Sequence, residues 1–189
     1  MKLFCKTIQG VSCAALIALL AAPPAMALTG GEECADAWRD YSEQYNAAAQ
    51  RVNQGWARVL NTPEAAYDDF NWASSRAERF RNFGACTRST SLTDAIIDEM
   101  ERDRRTLVQI ADCGLRVAVM EVKSIELDEA ISRYNIDQAG SDTVRMLSGV
   151  VEQRADAVLA AHECSNDGWS LDLARDRKDW SNRVWDVVR

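Results

Sequence analysis

Cys34, Cys86, Cys113 and Cys164 stand 52, 27 and 51 residues apart, and that spacing limits what the chain can fold into. Structural zinc prefers close pairs such as C-x2-4-C, and no gap here approaches one. Neither a redox CxxC nor a haem-attachment CxxCH occurs. The set of four instead suits two disulfides, for which sequence alone allows three pairings. Cys5 and Cys13 fall in a different kind of segment, one that reads as a leader.

That segment sets the compartment. Lys2 and Lys6 form a basic start, Val11–Ala22 is an uncharged apolar run, Pro23 and Pro24 break it, and Ala25-Met26-Ala27 has the small-x-small form a signal peptidase accepts. The run is shorter than the roughly 20 residues that span a bilayer, which disfavours a retained anchor. Cys13 precedes the main apolar run rather than following it, against lipid attachment. The expectation is a signal peptide over 1–27 and a single helical domain over 28–189, placed in a bacterial periplasm or outside the cell. Such a compartment permits disulfides.

The helices choose among the pairings. Beyond the leader there is one proline, Pro63, and little alternation of apolar and polar residues. A first helix over about Glu32–Leu60 carries the stripe Trp38, Tyr41, Tyr45, Ala48, Val52, Gly55 and Val59. Thr62-Pro63-Glu64 opens a second helix, and Gly84 is a natural stop for it. Ser91-Leu92-Thr93-Asp94 opens a third, an acidic variant of the capping box. Its periodicity runs to about Gln138, before the turn Ala139-Gly140-Ser141. A fourth reaches about Glu163 with Val144, Leu147, Val151, Ala155 and Val158 on one face, and a fifth runs from about Ser170 to the end.

Measured from the nearest tight turn, Cys34 lies 27 residues before Asn61 and Cys86 lies 25 after it. Cys113 lies 27 before Gly140 and Cys164 lies 24 after it. Positions equally far from a turn meet across an antiparallel helix pair. The expected bonds are therefore Cys34–Cys86 and Cys113–Cys164, each worth about 4 kcal/mol in the chain-entropy account. Two similar halves would also fit a duplication, since Arg76-Ala77-Glu78 and Arg154-Ala155-Asp156 each stand ten residues before a cysteine.

The expected fold is thus all-α: an antiparallel bundle of about five helices, two disulfide-clasped hairpins and a long third helix. If glycine breaks that helix at Cys113-Gly114, the bundle is compact. If the helix continues, helices 1, 2, 5 and its first half form a four-helix body while helix 4 and its second half project as an arm. The apolar pattern resumes at once with Leu115, Val117, Ala118 and Val119, which favours continuity. The stretch Cys113–Val122 is apolar on several faces, so it is either enclosed or a surface for a partner.

No residue pattern specifies chemistry. Lys and Arg number 22 against 29 Asp and Glu, a net charge of −7 that disfavours nucleic-acid binding. His162 is the only histidine. Without HExxH or a second imidazole it reads as a helix-end cation offsetting the dipole rather than a catalytic or metal group. GxSxG, Walker and dinucleotide glycine motifs are all absent. Carboxylates such as Asp68, Asp69, Asp94, Asp98, Glu99, Glu101 and Asp103 are too common on helices to mark a glycosidase pair. Among six tryptophans, Trp38 and Trp180 fall on apolar stripes, while Trp56 and Trp185 sit one position off them and are the candidate surface-binding residues.

The expected function is non-enzymatic: an acidic exported protein that binds another macromolecule as an inhibitor, immunity or adaptor protein. It would use no cofactor and no metal, and its acidic charge would steer it toward a basic protein partner. The arm offers a surface for self-association. The alternatives are a carboxylate-dependent enzyme on envelope polysaccharide, and a small-ligand binder with a Trp-lined pocket between helices.

Overall fold

The computed structural model describes residues 31–78, 91–136 and 139–188, and among these the chain forms helices and no strand. In order they are α1 Gly31–Arg58, α2 Pro63–Glu78, α3 Ser91–Tyr134, α4 Ser141–Leu159 and α5 Gly168–Val187, with a short 3-10 turn at His162–Cys164. The fold is the all-α bundle that the periodicity implies.

α3 runs unbroken through Cys113-Gly114 for 44 residues, about 66 Å at 1.5 Å per residue. It is shared by two halves. α2 packs on its first half with α1 laid against α2, and α4 packs on its second half with α5 laid against α4. The apolar interior divides the same way. One cluster fills the body and the middle of α3, and a smaller one around Leu127, Val144, Val151 and Val188 fills the arm.

Gly114 is retained for packing. The ring of Phe70, fully buried, lies between Gly55 of α1 and Gly114 of α3, and a Cβ at either glycine would come within 2.5–2.8 Å of that ring. Two glycines thus let three helices close on one phenyl group. The stretch after Cys113 is enclosed on one side only: Cys113, Gly114, Val117, Ala118 and Met120 are buried, while Leu115, Val119 and Val122 are partly buried and Arg116 is exposed.

α5 departs from the expected arrangement. It does not complete a four-helix body but folds back along α4, so the arm has three helices rather than two. The physical cause is the elbow. Asp167 caps α5, its carboxylate accepting from the Ser170 amide and from the Ser170 hydroxyl at 2.6 Å. Small residues then let α4 and α5 approach, and the Ser148 hydroxyl donates to the Ser181 carbonyl at 2.6 Å. Arg145 donates to the carbonyl of Val188 at 2.7 Å, and Lys178 pairs with Asp156 at 2.7 Å. Arg177 reaches across to α3, where both its Nε and Nη2 donate to Glu121, a carboxylate only 2% exposed.

α4 also stops earlier than the periodicity suggests, at Leu159 rather than near Glu163. Ala161 is extended (φ −75°, ψ 125°), and the 3-10 turn that follows delivers Cys164 inward to Cys113, Cα to Cα 5.0 Å. The expected Cys113–Cys164 clasp is present. The Cys34–Cys86 clasp, the Gly84 helix stop and the leader over 1–27 lie outside the described residues.

Candidate functional site

The buried acids are occupied by arginine. Asp69, 2% exposed, sits on the inner stripe of α2 and accepts from Arg51 at 2.7 Å and Arg58 at 2.8 Å, two guanidiniums seven residues apart on α1. Arg51 and Arg76 also stand 5.4 and 5.9 Å from the ring centre of Trp72. Glu121 is held by Arg177, whose proton affinity the Glu121 hydrogen bonds raise. Such pairs complete a packed interior, since a lone buried charge is costly.

A third group of acids lies at the seam of α1 and α3. Tyr41 stacks on Tyr45 at 5.8 Å and donates to the Met100 carbonyl at 2.9 Å. Burial pushes both phenols up, Tyr45 to about 12 with Asp103 adding to the effect, and Tyr41 further with Tyr45 and Asp103 beside it. Asp103 is itself raised by burial and by neighbouring Glu99. The same segments carry the exposed acids Asp36, Asp40 and Glu43 of α1 and Asp98 and Glu99 of α3, with exposed Arg102 beside them and exposed Arg39 paired to Asp36 at 3.0 Å.

The two tryptophans singled out by sequence occupy different places. Trp56 is half-buried at the middle of the molecule, edge-on to Phe70 at 4.9 Å and to Trp169 at 5.7 Å. Trp185 is 43% exposed near the end of α5. With it at that end of the arm are Tyr134 and Ile136 after α3, Met146 in the second turn of α4, and Val187. Among the described residues, five of the ten exposed large apolar side chains gather there. His162 is exposed in the 3-10 turn, not in the last turn of α4, so it does not offset that helix dipole.

A shallow recess of about 180 Å³ opens where α2, α3 and α4 meet, lined by Tyr67, Leu115, Arg116, Val119, Arg154 and Ala157. A tyrosine, not a tryptophan, is its aromatic wall. The sequence shows Leu115 and Val119 only as part of an apolar run and Arg154 only beside its repeat partner; that they share one hollow with Tyr67 depends on where three separate helices meet. Asp69 and Glu121 left a fainter signal: each is an acid inside an apolar stripe. Among the described residues no three His, Cys, Asp or Glu side chains converge as a metal ion would require. No described helix is long and apolar enough to cross a membrane. No protein-family model, curated protein or solved structure matches the chain.

Proposed function

We propose that this is an exported, non-enzymatic protein of the bacterial envelope that binds another macromolecule, as an inhibitor, immunity or adaptor protein does, with the arm tip as the contact. The gathering of Tyr134, Ile136, Met146, Trp185 and Val187 at one end carries this reading. Exposed apolar side chains scattered singly are ordinary, but a concentration of them marks an interaction surface. Aromatic anchors such as Trp185 typically dominate binding energy. The acidic edge of α1 and α3 adds long-range steering toward a basic partner, an effect on association rate that salt screens. Asp69 and Glu121, the deeply buried carboxylates, are tied to arginine, which supports a structural role for them over acid–base work.

The test uses the oxidised protein immobilised against envelope extract, beside a Trp185→Ala/Val187→Asp variant. The wild-type protein should retain a discrete partner at low salt, lose much of it at high salt, and the variant should retain little. Retention that ignores both salt and the double substitution would overturn the reading, as would the absence of any partner.

A further inference from the structure

We propose that the recess between α2, α3 and α4 binds a small monocarboxylate carried on a short apolar body. Leu115 and Val119 of α3 and Ala157 of α4 give it an apolar floor, and the 40% exposed ring of Tyr67 forms one wall. Arg116 and Arg154 stand in the same lining, two cations facing one hollow in a chain of net charge −7. Arg154 has no ion pair among the described residues. Arg116 has a loose one, its Nε 3.7 Å from a Glu163 carboxylate oxygen that is itself partly solvated. Two guanidiniums set against one carboxylate leave about a single positive charge, which suits a monoanion better than a phosphate dianion.

The geometry separates the two ends of such a ligand. Its carboxylate would lie between the guanidiniums, whose planar N–H groups match carboxylate oxygens, and its hydrocarbon would cover the floor. The Cys113–Cys164 bond ties α3 to the turn after α4 close to the recess in the chain, Cys113 standing two residues before Leu115 and Cys164 directly after Glu163. It lies about two to three turns of α4 away from Met146 at the tip and does not depend on the tip binding anything.

Amide chemical shifts of the oxidised protein would be followed by NMR during titration with hexanoate, hexanol, hexylamine and inorganic phosphate. Hexanoate should move the amides around Tyr67, Leu115, Val119 and Ala157 saturably, with a roughly millimolar constant expected for so small a ligand. Hexanol should bind about tenfold more weakly, and hexylamine and phosphate should leave these amides in place. Arg154→Gln, on an exposed position, should weaken hexanoate about tenfold, the loss of one charge-assisted hydrogen bond, while leaving hexanol unchanged. Tyr67→Ala should weaken both. The proposal fails if hexanol equals hexanoate, if phosphate alone moves the same amides, if the shifts lie elsewhere, or if Arg154→Gln binds hexanoate as the wild type does.

Discussion

Gly114 carries two opposing effects. In a helix interior glycine is about 1 kcal/mol worse than alanine, yet an added Cβ here would meet Phe70 at 2.5 Å. Overpacking of a filled core typically costs 1–3 kcal/mol, so Gly114→Ala should destabilise the protein by about 1–2 kcal/mol despite its better propensity. In a Phe70→Leu background, where the ring is gone, the same substitution should become neutral or stabilising. Denaturant melts of the four proteins would check this, and equal effects in both backgrounds would disprove the contact. The glycine was visible in the sequence as an interruption of an apolar run, but its reason was not. Phe70 lies 44 positions away, and nothing local says that a ring on α2 will press there. Asp69 is similar: in the sequence it stands as one of many helix carboxylates, and its two arginines on α1 are not legible there.

At the scale of elements, periodicity located the helices and the symmetric placement of Cys113 and Cys164 about Gly140 gave their bond. Periodicity was weaker at ends. The elbow from Leu159 to Gly168 is set by backbone geometry and by the Asp167 cap, which fall in a stretch too short to show a period. The clasp across that elbow closes a 51-residue separation, worth about 4 kcal/mol by chain entropy. The double variant Cys113→Ser/Cys164→Ser should therefore lose roughly 3–5 kcal/mol, some of it from burying two hydroxyls where the sulfurs are now fully enclosed. Chemical denaturation with thiols quantified should show the loss. A variant as stable as the native chain would remove the clasp from the account of how α4 and α5 are held.

For the whole molecule, the consequential feature is that both halves use one helix. Sequence reading gave α3 its length but assigned α5 to the body, because the lengths of α5 and the first half of α3 match. Length alone cannot say which neighbour a helix chooses; the Arg177–Glu121 pair and the small-residue seam with α4 decide it. Since Phe70, Gly114, Cys113 and Cys164 all meet at the middle of α3, the oxidised protein should melt as one unit. Calorimetry should give a van't Hoff enthalpy equal to the calorimetric one, and two separable transitions would contradict the shared core. The same continuity ties orientation to residue count. One residue inserted into α3 beyond Gly114 would turn the rest of that helix by about 100° and advance it by about 1.5 Å against the hold of the Cys113–Cys164 bond, whereas seven would return it to within about 20° of its first heading. The direction in which the far end points is thus set like a key on a shaft, by the phase of a single screw.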